Sequence, residues 1–383
     1  VCSHLVLVDA GSSGTRAYAY AITPAEGGGV PAALTQLSVI KTSPGVVAFK
    51  DDPAGAGKLI ADVLKHEGGA LDVIPKACHA KTPTAVMATG GMRLLEGEPG
   101  GEAAATAIYG AIKGAIAEVG LDARFAGTIS GTQEAIYGWL SVNYALGRLG
   151  GAEPTLGALD LGGASSSIVF VPEAAGDAPT TNVRLGDRTY AVYVNSYLGY
   201  GVDRARQFLN YDACFLKGVG KGTGKYGECV KKLEAAVKPK KCAAAACGLA
   251  APGDDAKLGV AQPPIPASAA FYAFGVYEYA RAFFKLEPNA PLSALAEAAG
   301  GKNGKAGYCA TPWKQVADAN QGVDERYLQG YCFDAAWIAA ILKTHGFAPT
   351  TQAITVTDKF GDHDASWALG AALCSLTGCL SGS

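Results

Sequence analysis

The sequence predicts an α/β protein built from two related halves. A strand followed by a glycine turn and a second strand occurs twice, first around Leu7-Val8-Asp9-Ala10-Gly11-Ser12-Ser13. The second copy runs Ala158-Leu159-Asp160-Leu161-Gly162-Gly163-Ala164-Ser165-Ser166, its aspartate 151 positions after the first (160 − 9). Short apolar, β-branched runs alternate with Ala-rich segments of helical spacing. A chain of 383 residues is long enough for two ordinary domains, each with its own core.

The elements follow in order. His4–Val8 reads as a strand, Asp9–Thr15 as the turn, and Arg16–Ile22 as a strand with Tyr18, Tyr20 and Ile22 on one side. Glycines 27–29 make a hairpin tip, and Ala33–Thr42 a third strand. Ala54–Lys65 and Glu102–Val119 are helical, the latter stopped by Gly120. Ala85–Ala88 and Phe125–Ile129 are short strands, and Gln133–Leu146 is a helix. In the second half, Thr155–Leu159 and Ser166–Val171 read as strands around the repeated turn. Residues 252–266 form a Gly/Pro loop; Phe271–Phe284, Gln329–Thr344 and Ser366–Leu376 read as helices, with Trp139, Trp337 and Trp367 as core or wall residues.

Composition excludes several classes. An apolar fraction of 49% with 17% charged residues fits neither a disordered chain nor a coiled coil. Lys and Arg number 32 against 34 Asp and Glu, a balance that argues against nucleic acid as partner. Ten cysteines without a CxxC pair read as disulfides, hence an extracellular or secretory-lumen location. No run reaches the roughly 18 apolar residues of a membrane span; Glu278 and Arg281 interrupt the nearest one, and a monomer is expected. Between Cys214 and Cys247 eight lysines face only Glu228 and Glu234, which reads as a solvated, disulfide-tied surface lobe. The five histidines show no metal-ligand spacing.

The chemistry sits in the glycine loops. Each puts a carboxylate at the end of a strand, then residues small enough for backbone N–H groups to approach an anion. Neither loop carries the GK[ST] of a P-loop or the GxGxxG of a dinucleotide site. Two such turns set between strands point to a phosphate clamp of the actin and sugar-kinase type.

On five segments, in order, the chain resembles the apyrases, the nucleoside triphosphate diphosphohydrolases. They are 8–16 (Val-Asp-Ala-Gly-Ser-Ser-Gly-Thr-Arg), 88–95 (Ala-Thr-Gly-Gly-Met-Arg-Leu-Leu), 129–139 (Ile-Ser-Gly-Thr-Gln-Glu-Ala-Ile-Tyr-Gly-Trp), 160–165 and 366–370 (Ser-Trp-Ala-Leu-Gly). The resemblance implies two actin-like lobes with the active site in the cleft. One lobe would be 1–130 with 358–383 returning to it; the other would be 131–357, carrying the basic insertion at about 214–247. It implies hydrolysis of the terminal phosphate of nucleoside tri- and diphosphates without a covalent intermediate. Glu134 would be the general base and Ser165 would position the water. Mg²⁺ or Ca²⁺ would sit by Asp9 and Asp160, mostly through waters. Phosphate contacts would come from Gly11, Ser12, Ser13, Gly14, Thr15, Arg16, Thr89, Gly162, Gly163 and Ala164. Tyr279 and Arg326 would hold the nucleobase, Tyr279 on the helix begun at Phe271. The competing expectations are a kinase or exopolyphosphatase of the same superfamily, and a nucleotide- or glycan-binding receptor without turnover.

The chain departs from the family pattern at Gly91 (usually Ala), Ala135 (usually Gly) and Ser166-Ser167 (usually Thr-Gln). Cys309–Cys332 matches a family disulfide. Cys214 with Cys242 and Cys229 with Cys247 are expected as interleaved bridges, Cys2 with Cys78 and Cys374 with Cys379 as the others.

Overall fold

The computed structural model describes residues 2–26, 29–174, 176, 178–251 and 256–380. Positions 27 and 28 of the expected hairpin tip, and 252–255 of the expected loop, lie outside the described residues. The elements that build the site are, in chain order, β1 (His4–Ala10), β2 (Thr15–Thr23), β3 (Ala33–Thr42), α1 (Pro53–Lys65), β4 (Pro83–Ala88), α2 (Gly90–Glu96), α3 (Gly101–Glu118), β5 (Asp122–Thr128) and α4 (Gly131–Ala145). They continue with β6 (Gly157–Leu161), β7 (Ser165–Phe170), β8 (Thr180–Leu185), β9 (Arg188–Leu198), α5 (Val202–Phe208) and α6 (Tyr226–Val237). The last are β10 (Phe271–Gly275), α7 (Val276–Phe283), α8 (Glu325–His345), β11 (Ile354–Val356) and α9 (Ala368–Thr377).

The chain forms two compact units: residues 1–155, 181–198 and 359–383, and residues 156–180 and 199–358. Residues 131–155, expected with the second half, thus pack with the first. The reason is α4, which lies against α9: the Gly370 N–H donates to Ser141 Oγ at 2.7 Å. A Cβ on Gly370 would stand 1.9 Å from the Tyr137 carbonyl, so only glycine permits that approach.

In the first unit five strands run in the order β3-β2-β1-β4-β5. β1 pairs antiparallel with β2 and parallel with β4, and β4 pairs parallel with β5. Val6, Val8, Ala17 and Ala19 meet Ile60 and Leu64 of α1 and Ile108 and Ile112 of α3 in one buried cluster. Burial on both faces explains why β1 reads as a continuous apolar run. In the second unit β11, β10, β6 and β7 lie side by side; β10 is parallel to both neighbours and β6 is antiparallel to β7.

Phe271–Gly275 is therefore a strand, not the start of a helix. Phe271 faces Gly157 across the ladder, and its ring fills the space where a Gly157 Cβ would stand 2.3 Å away. The helix begins only after Gly275, whose φ of +73° turns the chain.

Five disulfides are present: Cys2–Cys78, Cys214–Cys229, Cys242–Cys247, Cys309–Cys332 and Cys374–Cys379. The two central bridges are local rather than interleaved. Cys229, Leu233 and Val237 form the buried stripe of α6, so Cys229 faces the buried Cys214. Cys242 lies beyond the helix end and is exposed.

α8 carries the core of the second unit, with Trp337 fully buried and its Nε1 donating to the Tyr200 carbonyl at 3.0 Å. Near the end of α8 the buried His345 shares two hydrogen bonds with Gln262, at 2.7 and 2.8 Å. Burial pulls its pKa down to about 3. The folded chain therefore holds it neutral, and that contribution is present above the unfolded pKa near 6.5 and lost as pH falls. Acidification from pH 7 to pH 4 is expected to cost roughly 3 kcal/mol through this residue. Thermal melts of wild type and His345→Gln check it: the variant's Tm should fall less steeply with acid.

Candidate active site

In the first unit β1, β4 and β5 run in the same direction and end together. Asp9 stands at the end of β1, Thr89 follows β4, and Ser130 follows β5. The Ile129 N–H donates to the Ala88 carbonyl at 2.9 Å, locking two of these ends together. β1 and β2 pair up to Ala10 and Thr15, so Gly11–Gly14 is a tight four-residue connection. Gly91 and Gly45 press on it: a Cβ at 91 would stand 2.9 Å from Ser12 Cα, and one at 45 would stand 2.2 Å from the Gly11 carbonyl. Gly91, the departure from the family's Ala, thus packs directly under the first glycine loop.

The loop residues differ in what they offer. Ser13 is exposed, and Ser12 is half-buried. Thr15, expected at the phosphate, is fully buried and its hydroxyl turns to the Pro44 carbonyl at 3.5 Å. It anchors the loop because it already belongs to the β2 ladder. Arg16 faces Asp9 across the register and binds Asp9 Oδ2 at 3.3 Å.

Glu134 enters in the first turn of α4. A capping box starts this helix: the Gln133 N–H donates to Ser130 Oγ at 3.1 Å, and the Ser130 N–H donates to Gln133 Oε1 at 2.9 Å. The Ser-x-x-Gln spacing signals that start, two residues before the expected one. Glu134 Oε2 is held at 2.7 Å by Nη2 of Arg93 from α2. Desolvation raises the pKa of Glu134, and Arg93 draws it back down. Burial also lifts the Asp9 carboxyl to about 6, countered by Arg16 and reinforced by the charge of Glu134.

In the second unit Asp160 is the fourth residue of β6, and Gly162–Ala164 form the turn into β7. The turn's carbonyls point back into the protein. Gly199 donates to Ala164, Val202 to Gly162, and Asp203 and Arg204 both to Gly163, at 2.8 to 3.1 Å. Oxygens that would repel an anion are thereby engaged. Gly201 makes this possible: a Cβ there would stand 2.3 Å from the Ala164 nitrogen. Gly275 lies beside the carboxylate, its Cβ position 3.0 Å from Asp160 Oδ1. Ser165 opens β7, while Ser166 and Ser167 are buried behind it.

Tyr279 on α7 is 53% exposed, whereas Phe271 and Phe274 are core. Arg326, at the start of α8, lies over the ring of Tyr327 at 4.8 Å and donates to its hydroxyl at 2.9 Å. Tyr327 is itself half-exposed, and both tyrosines act electrostatically on Tyr331. Sequence reading missed Tyr327 and the pairing of Arg93 with Glu134.

For a cation, the donor set is informative. Among the described residues no three His, Cys, Asp or Glu side chains form a ready-made cage. Asp9 Oδ1, however, is buried and accepts no protein hydrogen bond among the described residues. An orphaned carboxylate oxygen beside its own hydroxyl-bearing glycine loop fits a hard cation that keeps most of its own waters.

Comparisons with known proteins bear on the family and the fold. A model of the GDA1/CD39 (nucleoside phosphatase) family matches residues 2–379. Ectonucleoside triphosphate diphosphohydrolase 1 of Mus musculus is 28% identical over 95% of this chain and 79% of its own. Probable apyrase 3 of Arabidopsis thaliana is 31% identical over 96% of this chain and 81% of its own. Among solved structures, a nucleoside triphosphate hydrolase of Neospora caninum aligns with a TM-score of 0.69, at 16% identity, over 98% of this chain and 92% of that one. An exopolyphosphatase of Cytophaga hutchinsonii aligns with a TM-score of 0.52 at 13% identity over the whole of both chains. At such identities the structural likeness speaks for the fold, and the α/β class expected from sequence is the class observed. Matched by its family model from Cys2 to Cys379, and with the motifs set at the ends of its strands, the chain belongs to the GDA1/CD39 (nucleoside phosphatase) family.

Proposed function

We propose that this enzyme removes the terminal phosphate of nucleoside tri- and diphosphates with a divalent cation, Mg²⁺ or Ca²⁺. The observation that carries the reading is a buried carboxylate, Glu134, at the same sheet edge as Asp9 and its glycine loop. The first unit supplies the amides of Gly11 and Gly14, the hydroxyls of Ser12 and Ser13, and Thr89 and Arg16 toward phosphate. The second supplies the amides of Gly162, Gly163 and Ala164. Water is positioned by Ser165, and Glu134 takes its proton as the oxygen attacks the terminal phosphorus. The bond to the bridging oxygen breaks, and that oxygen leaves with the shortened nucleotide. Asp9 and Asp160 would hold the cation through waters, and it would supply positive charge to neutralise the phosphate oxygens. Phosphoryl transfer needs little covalent chemistry, so alignment and charge account for most of the rate. Tyr279 and Arg326, with Tyr327 beside them, take the nucleobase by stacking, which tolerates different bases. The five disulfides support an oxidising compartment, extracellular or secretory-lumen.

A phosphate-release assay with ATP and ADP, with and without chelator, tests this. Release from both nucleotides that stops with chelator is expected. Tight nucleotide binding without release, or phosphate passed to an acceptor instead of water, would overturn it.

A further inference from the structure

We infer that Arg93 is a positioning residue for Glu134: its guanidinium fixes the carboxylate's orientation by holding Oε2, leaving Oε1 to take the proton from water. The inference rests on the reading of Glu134 as the base.

The geometry has three parts. Arg93 Nη2 meets Glu134 Oε2 at 2.7 Å, with both side chains close to nine-tenths buried (12% and 13% exposed). Its Nη1 donates to the Ile129 carbonyl at 3.0 Å, the last residue before the cap of α4. Gly131, the first residue of α4, packs beside this pair: a Cβ there would stand in ordinary contact with Arg93 Cζ, at 3.8 Å, and only 2.5 Å from Ser196 Oγ. One planar guanidinium therefore spans the end of β5 and the first turn of α4. A lysine, with a single point of charge, cannot hold both contacts in one plane. A carboxylate held this way cannot rotate freely, and the oxygen that accepts the proton is defined before substrate arrives.

The electrostatics point the same way. The charged groups facing Glu134 are Arg93 from α2 and Asp9 from β1, with Arg16 from β2 paired to Asp9. Burial disfavours the ionised base, and Arg93 is the cation that opposes it. Without Arg93 the base would be protonated over a wider range of pH.

The test is the pH dependence of kcat and KM for ATP, from about pH 5 to about pH 9, in wild type, Arg93→Met, Arg93→Lys and Glu134→Gln at saturating Mg²⁺. In Arg93→Met the acidic limb should move to higher pH by about one unit or more, with kcat lowered and KM little changed. Arg93→Lys should keep the limb near the wild-type position and recover part of kcat. Where Arg93→Met does not fold, Arg93→Gln removes the charge yet keeps a donor for the Ile129 carbonyl, and the same shift is expected of it. A limb that stays at the wild-type pH in the neutral variant, or a defect confined to KM, overturns the inference and makes Arg93 a structural or phosphate-binding residue. Glu134→Gln separates the two readings. If it hydrolyses ATP like wild type, the base assignment fails and this inference with it. If it is inactive while the neutral Arg93 variant shows no limb shift, only the role of Arg93 fails.

Discussion

Glu134→Gln is expected to lower phosphate release by about 10²- to 10⁴-fold, the usual worth of a placed general base. Nucleotide affinity should hardly change. The amide has the shape of the carboxylate and can still accept a hydrogen bond from Arg93, so the first turn of α4 keeps its capping box and its place beside Ile129. What disappears is the proton acceptor. Loss of the negative charge also relieves Asp9, whose carboxyl is held up partly by Glu134; cation binding should therefore survive. Steady-state release of phosphate, paired with calorimetric binding of a non-hydrolysable nucleotide, reads both effects. Wild-type turnover in the variant would remove Glu134 from the chemistry. The pH sign is fixed by the same environment: desolvation raises the Glu134 pKa, so activity should fall as acid protonates it, from a pH above that of an ordinary glutamate.

What could be read from sequence was local. Asp9 and Asp160 announce themselves because a carboxylate followed by small residues between apolar strands is a pattern held within ten positions. Both loops lie where that pattern put them, although Asp9 and Asp160 each belong to their strand rather than to the turn. Arg93 could not be assigned this way. Its partner is 41 residues on, and nothing around Arg93 distinguishes a phosphate ligand from a carboxylate clamp until α2 and α4 are placed. Phe271–Gly275 was misread for a related reason: a short apolar run without clear alternation fits a buried strand or a helix equally well. Only the neighbours, Gly157 and Ile354, decide. The central disulfides show the same limit, since four cysteines allow three pairings and the choice depends on which face of α6 is buried.

Gly201→Ala should be the most damaging of the conservative substitutions, and its damage should fall on catalysis rather than on folding. The backbone of Gly201 is extended, with φ −68° and ψ 153°, so alanine meets no conformational barrier there. The obstacle is space. A methyl group would meet the Gly163 carbonyl carbon at 2.3 Å and the Ser165 nitrogen at 2.4 Å, and those atoms belong to backbone, which cannot swing aside as a side chain does. The second glycine loop must move, and with it the hydrogen bonds that turn its carbonyls inward. A shift of about 1 Å in a positioned group can cost about 10²-fold in rate, and a loss of kcat/KM of that order is expected. Gly370→Ala is the contrast: its clash, with the Tyr137 carbonyl at 1.9 Å, lies between α4 and α9, so Tm should fall there first. Measured side by side, the two variants should separate, Gly201→Ala in kcat/KM and Gly370→Ala in thermal stability. Near-normal kcat/KM in a folded Gly201→Ala enzyme would mean that the second loop does not grip the phosphates.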